Sequence, residues 1–262
     1  MRVHVVSDVH GNVEALARAA DGADALFVLG DLVDFVDYAN PTAGILGRVL
    51  GEQVSREFGR VRRAGGPGEL AAFAKAAWGR IPDPAAVIAE AVDEQYAALF
   101  AVMPDDTWAI PGNVDLPDRW PAHLRPGITV PDGKVVEIGG MRVAFLGGVP
   151  LPPGFPPRLG GPWRPHLVAA EDYQASVDAL ADFDLLCTHA PPAVPALFYD
   201  VVTKRRELPG LGLRELIERE RPRAALFGHV HQPLAARLRY GATECVNVGH
   251  FRRTGQPYVL RW

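Results

Sequence analysis

Val3-His4-Val5-Val6-Ser7-Asp8-Val9-His10-Gly11 decides the fold class of this 262-residue chain. Valines interrupted only by His4 read as a buried strand, and the run ends on two polar side chains, Asp8 and His10, ahead of a glycine. The same pattern recurs four times. Residues 25–29 lead to Gly30-Asp31, 107–110 to Gly112-Asn113, 185–187 to Thr188-His189, and 224–227 to Gly228-His229-Val230-His231. Helical patterns lie between them, at 13–20, 169–181 and 211–220. Strands alternating with helices predict an α/β sheet with helices on its outer faces. Ligands of such sheets gather beyond the carboxyl ends of the strands, where all five polar segments fall.

Composition limits what such a site can sit in. With 48% hydrophobic residues the chain can bury a substantial core as a single domain. A net charge of -4 and a pI near 6.1 argue against a nucleic-acid surface. Arg62-Arg63 and Lys204-Arg205-Arg206 are isolated and read as solvated loop charges. Cys187 and Cys245 fall in apolar strands, as expected of buried thiols in a reducing compartment. The chain begins at Met1 and needs Asp8 for chemistry, so no cleavable signal peptide is expected. No apolar stretch approaches a membrane span, and a cytoplasmic location is the expectation.

Two regions break the rhythm. Residues 37–103 read as helices at 42–58, 69–80 and 84–103, with a Gly/Pro-rich break at 64–68. This helical insertion is expected to be a packing or dimerisation element, the surface for a homo-oligomer, or a cap that shapes substrate access. Residues 147–165 are rich in Pro and Gly, hold Trp163, and read as a lid, a binding loop or a rigid crossover. Beyond 134, residues 135–138 and 141–146 form a strand pair turned by Gly139-Gly140. Residues 235–239, 244–248 and 257–260 read as closing strands of a second sheet.

Residues i and i+2 of an extended chain point to one side, so Asp8 and His10 can reach one metal, as can His229 and His231. Oxygen donors from Asp8, Asp31 and Asn113 and imidazoles from His10, His189, His229 and His231 suit Mn, Fe, Zn, Co or Ni. Glycines at 11, 30, 112 and 228 allow tight turns that bring backbone close to the ions. Most of the motifs are weak alone, Asp8, for instance, being able merely to cap the helix that starts near Asn12, whereas Gly228-His229-Val230-His231 is moderately specific in a chain of eight histidines. Their conjunction, order and strand-end placement carry the reading. Of the other histidines, His4 reads as a strand residue, and His123 and His166 as surface residues in Pro-rich loops. Asp34 reads as a structural salt-bridge partner rather than a ligand.

The set and its order resemble the calcineurin-like metallophosphoesterases over nearly the whole chain outside 37–103. The resemblance implies a single-domain, four-layer α-β-β-α sandwich of two mixed sheets with a dinuclear metal site at the strand ends. The first metal would take Asp8, His10 and His231, the second Asn113, His189 and His229, and Asp31 would bridge them. Manganese is the favoured ion. A hydroxide bridging the two metals would attack the phosphorus of a small-molecule phosphate ester. One departure stands out: the family's third motif usually runs Gly-Asn-His followed by an acid, and here it is Gly112-Asn113-Val114-Asp115. In the family that histidine protonates the leaving oxygen, a contribution of about 10²–10⁴-fold that valine cannot make. His250, in Asn247-Val248-Gly249-His250, and Asp115 are the candidate substitute donors, alongside Asn113 in the catalytic set. The missing histidine favours a phosphodiesterase. A phosphomonoesterase or protein phosphatase is the second reading, though phosphate-clamping arginines are not evident at the motif positions. A non-catalytic metal-binding scaffold is the third. Natural substrate, metal identity and oligomeric state are not set by the sequence.

Overall fold

Alternation along the strands sets the layers. In β1 (Arg2–Val6), Val3 and Val5 face one apolar cluster while Val6 faces another. The computed structural model describes residues 1–64, 66–152, 162–163 and 166–262. β1 lies in a five-stranded sheet beside β2 (Ala25–Val28), β3 (Thr107–Ala109) and β4 (Ile128–Thr129), all parallel, with β15 (Tyr258–Arg261) antiparallel on its other edge. A six-stranded sheet holds β6 (Met141–Leu146), β9 (Leu185–Thr188), β12 (Ala224–Phe227) and β14 (Thr243–Asn247) as parallel neighbours. β5 (Lys134–Ile138) and β13 (Arg237–Tyr240) flank them antiparallel. Two short pairs lie outside the sheets, β7 (Val149–Pro150) with β8 (Leu167–Val168) and β10 (Tyr199–Asp200) with β11 (Arg205–Arg206).

The central core lies between the sheets, where Val3, Val5, Phe27 and Leu29 meet Val143, Phe145, Cys187 and Leu226. Phe27 and Phe145 pack edge to face at 5.2 Å. On the far side of the second sheet, α6 (Ala170–Ala179) and α8 (Leu213–Glu220) cover Leu146, Leu186 and Phe227 with Tyr173, Val177, Leu216 and Ile217. On the far side of the first, α1 (Val13–Leu16) and α5 (Pro84–Val102) cover Leu26, Val28 and Ala109 with Leu16, Val92, Tyr96 and Leu99. Two mixed sheets between two helical layers are thus built by period-2 strands and period-3.6 helices, each large side chain contributing about 1.5–3 kcal/mol on burial.

Residues 37–103 hold α2 (Gly44–Leu50), α3 (Glu52–Ala64), α4 (Pro67–Trp78) and α5. The helix predicted over 42–58 is two helices. Gly51 breaks it at φ +87, a conformation open to glycine, while its amide caps Gly47 O. Pro84 at the start of α5 and Asp83, which accepts the Ala86 amide at 3.0 Å, fix that helix where the sequence placed it. α5 belongs to the outer layer of the first sheet, whereas α3 buries only Ser55, Gly59 and Val61. The helix predicted over 13–20 shrinks to α1, begun by Asn12, whose side chain accepts the Ala15 amide at 3.1 Å.

One strand changes sheets. Residues 257–260 were expected in the second sheet, but β15 pairs with β1, Arg2 opposite Arg261. The short helix α9 (Phe251–Thr254) is the cause: Phe251 N–H donates to Ser7 O and Arg252 N–H to Asp8 O, which delivers the chain to the open edge of β1. Most of the proline-rich stretch between 147 and 165 lies outside the described residues; at its end Trp163 stacks on Phe35 at 3.9 Å. Cys187 and Cys245 are free and buried. Among the described residues no helix is long and apolar enough to cross a membrane.

Candidate dinuclear metal centre

The ends of β1, β2, β3, β9 and β12 come together on one rim. Asp8 N–H donates to Gly30 O, His10 N–H to Asp31 O and Gly228 N–H to His189 O, so the backbone itself holds the motif loops edge to edge. His10 Nε2 lies 3.2 Å from His231 Nε2 and 3.8 Å from Asp31 Oδ2, and His231 Nε2 lies 3.3 Å from Asp8 Oδ1. On the other side His189 Nε2 lies 3.1 Å from Asn113 Oδ1 and 3.5 Å from Asp31 Oδ1. Asp31 therefore presents one oxygen to each group. His229 joins the second, its ring nitrogen within 4.8 Å of the ligating atoms of Asp31 and His189. The other ring nitrogens of His10 and His189 face Val33 O and Leu29 O at 3.1 and 2.7 Å, which aims each Nε2 inward.

These donors suit a divalent cation. Asp8 Oδ1 and both ring nitrogens of His229 are buried atoms without a hydrogen-bond partner. Such atoms left dry cost about 1–3 kcal/mol each. Burial pushes the His10 and His229 imidazoles down to about 3, so both are neutral near pH 7. Burial would raise Asp8, but contact with His231 and the nearby His189 and His10 hold it well below the usual carboxylate range. Burial lifts Asp31 to about 6 against the pull of His189. Burial also works to lower His231, yet its contact with Asp8 raises it. Neutral imidazoles and ionised carboxylates are the forms a metal binds.

The backbone is strained at the same residues. Asp8, His10, Asp31 and His229 have φ of 58, 41, 55 and 68, in a region costing non-glycine residues on the order of 1–3 kcal/mol each. Two glycines make this crowding feasible. A Cβ on Gly112 would sit 2.2 Å from Asp31 Oδ1, and one on Gly228 would sit 1.9 Å from Ser7 Oγ and 2.5 Å from Asp8 Oδ2.

The family model for calcineurin-like phosphoesterase matches residues 1–233. The chain belongs to this family. Among solved structures, one is 15% identical with a TM-score of 0.59, covering 99% of this chain and 98% of that one. Another, TT1561 of Thermus thermophilus, is 16% identical with a TM-score of 0.52, again covering 99% and 98%. At these identities the likeness is one of fold. No curated protein matches the chain. Family membership supports metal-dependent hydrolysis of phosphoesters, with the Asp and His groups above as candidate ligands.

In this phosphoesterase Val114 is half-buried against the outer core, and its N–H donates to Asp31 Oδ1 at 2.9 Å. Asp115 is fully buried. Its Oδ1 accepts from Leu32 N, Val33 N and the Tyr96 hydroxyl, and its Oδ2 from Gly112 N. It thus ties the second motif to the third. His250 lies flat on His231, ring centroids 3.8 Å apart, with neither ring nitrogen bonded, and groups with His10 and His231. Burial lowers it to about 4. Asp34 pairs with Arg252 Nη1 at 2.7 Å, the structural salt bridge expected of it.

Two histidines read as surface residues are not. His123 Nε2 lies 3.1 Å from Asp93 Oδ1, beneath the Arg119–Asp93 pair and against Tyr96 and Phe100. His166 N–H donates to Asn113 O, and its ring packs where a Gly148 side chain would lie. Tyr96 escaped the sequence reading and Arg62 was read only as a solvated loop charge, since both act across elements far apart in the chain. Arg62 stands at the end of helix α3, not in a loop, and its charge adds to the lowering of His229.

Proposed function

We propose that this protein is a phosphodiesterase acting on a small-molecule phosphate ester. Asp8, His10, Asp31 and His231 would hold one divalent ion, manganese being the favoured one, and Asp31, Asn113, His189 and His229 a second. The observation that carries the reading is a full set of oxygen and imidazole donors beside valine, not histidine, at position 114. Bound there, divalent ions supply charge neutralisation for phosphoryl oxygens and acidify water. The remaining work falls to the chain. Asp115 acts as a positioning residue, its oxygens already taken by three amides and Tyr96. His250, with both ring nitrogens unpartnered, is the better placed candidate to hand a proton to the leaving oxygen. Held by burial near 4 it is neutral at pH 7, so it would act as the acid only when an anionic phosphoester beside it raises its pKa.

A phosphomonoester passes through a loose transition state that loads charge on the leaving oxygen, so it depends most on a positioned acid. Lacking the histidine at 114, the site favours diesters. The free, buried Cys187 and Cys245 support a reducing compartment, the cytoplasm. The test compares p-nitrophenyl phosphate with bis(p-nitrophenyl) phosphate on the Mn²⁺-loaded protein. A higher kcat/KM is expected for the diester, and a strong preference for the monoester overturns the proposal.

A further inference from the structure

Helix α3 carries Arg62 and Arg63 in its last turn, and the β10–β11 hairpin carries Lys204, Arg205 and Arg206. The two are joined: the Arg205 guanidinium donates to Arg62 O at 3.1 Å and to Arg63 O, capping the carbonyl end of the helix. All five side chains are exposed. Among the described residues none of the five pairs with a carboxylate, whereas Arg56 and Arg60 on the same helix pair with Glu52 and Glu57. Five cations held together without counter-charge, in a chain of net charge -4, repel one another and attract anions.

Their segments are bonded to those that carry the candidate ligands. The hairpin is bonded to the residue after His231, Val201 N–H to Gln232 O at 2.9 Å and Gln232 N–H to Asp200 Oδ2 at 3.0 Å. Arg62 Nη1 donates to the Tyr38 hydroxyl at 2.8 Å and lies over that ring at 5.7 Å. Tyr38 follows Asp37, which pairs with Arg252, two residues beyond His250. The rim is therefore tied to the His231 and His250 side of the site from both the insertion and the hairpin.

Building on the phosphodiester reading, we propose that Arg62, Arg205 and their neighbours form an anion-receiving rim. The substrate is then a phosphoester carrying a second anionic group, a phosphate, beyond the phosphorus at the metal centre. The buried donors would hold the divalent ions that neutralise the reacting phosphoryl group. The exposed rim outside them suits a charge that stays on the substrate and is gripped by charge-assisted hydrogen bonds.

The test uses the Mn²⁺-loaded protein and thymidine 5′-(p-nitrophenyl phosphate), with and without an added 3′-phosphate. In the unaltered protein the added phosphate is expected to raise kcat/KM about tenfold or more, chiefly through KM. Arg62→Ala and Arg205→Ala should bring that ratio toward one. Should Arg205→Ala loosen α3, the pair Lys204→Ala and Arg206→Ala, which spares the helix cap, gives the same readout. A ratio near one in the unaltered protein, or one unchanged by Arg62→Ala, overturns the rim. Hydrolysis of neither ester by the metal-loaded protein sinks the hydrolase reading instead. The rim is then judged by calorimetric binding of thymidine 3′,5′-bisphosphate against thymidine 5′-phosphate. Tighter bisphosphate binding that Arg62→Ala removes supports it, and equal affinities overturn it.

Discussion

Gly228 shows how little room one atom has at this site. Its missing side chain leaves space for Ser7 Oγ and Asp8 Oδ2, both closer than any Cβ tolerates. Gly228→Ala should push Asp8 aside, lower the bound metal below that of the parent protein by elemental analysis, and cost about 1–3 kcal/mol of stability in denaturant titration. Metal content equal to the parent's would contradict the placement of Asp8. Val114 is the opposite case, since its N–H on Asp31 is a contact any residue makes and its side chain leaves the third motif without an acid. Val114→His should raise kcat on a monoester with a poor leaving group by about 10² or more. No gain would undermine the missing-acid argument. Both positions were legible in the motif spelling, because glycine and the missing histidine are properties of single residues. The role of Asp115 was not, because its partners come from 32, 33 and 96.

Among elements, α5 links the helical insertion to the site. Tyr96 is buried in the outer core, accepts the Leu116 amide at 2.7 Å and donates to Asp115. Tyr96→Phe keeps the ring packing but strands that amide and one Asp115 lone pair. A loss of about 1–3 kcal/mol is expected by chemical denaturation. A neutral result would mean that water replaces the hydroxyl and that α5 is joined to the motif by packing alone. The course of α5 could be read from Asp83-Pro84 and its apolar spacing, as could the β5–β6 strand pair from Gly139-Gly140. The break at Gly51 could not, since glycine inside a helical pattern is tolerated as often as it terminates one. Nor could the transfer of β15, which depends on where α9 lands.

At the scale of the molecule, the centre ties folding to protons and metal. His10, His229 and His250 titrate near 3, 3 and 4 in the fold against 6.5 ordinarily, so the unfolded chain takes up these protons first. Stability of the metal-free protein is therefore lost as pH falls through 6.5 toward 4. Asp31, raised from 3.8 to about 6, works in the opposite sense, favouring the fold as pH drops below 6. His231, which burial would lower but contact with Asp8 raises, works in the same sense as Asp31. The three strongly lowered imidazoles, joined by the lowered His166, outweigh these two, and the Tm of chelator-treated protein should fall between pH 7 and pH 5. A flat or rising Tm across that window would mean the imidazoles are more hydrated than their surroundings imply. Mn²⁺ at about 100 times its Kd should add about 2.7 kcal/mol at pH 7. No rise in Tm would show that the seven donors do not hold the ion.

The sequence by itself determined the alternation of strands with helices and singled out the candidate donors. Strand and helix periods are local, and ligand chemistry belongs to residue types: Asp8, His10, Asp31, Asn113, His189, His229 and His231 stand as candidate donors just past strand ends, those after β1, β2 and β3 in one sheet and those after β9 and β12 in the other. Only the tertiary structure decided which sheet β15 joins, that Asp115 is spent on holding loops, and that Arg205 meets the end of helix α3 at Arg62. Those contacts join residues up to about the full chain length apart. They depend on how finished elements pack, which no short-range pattern encodes.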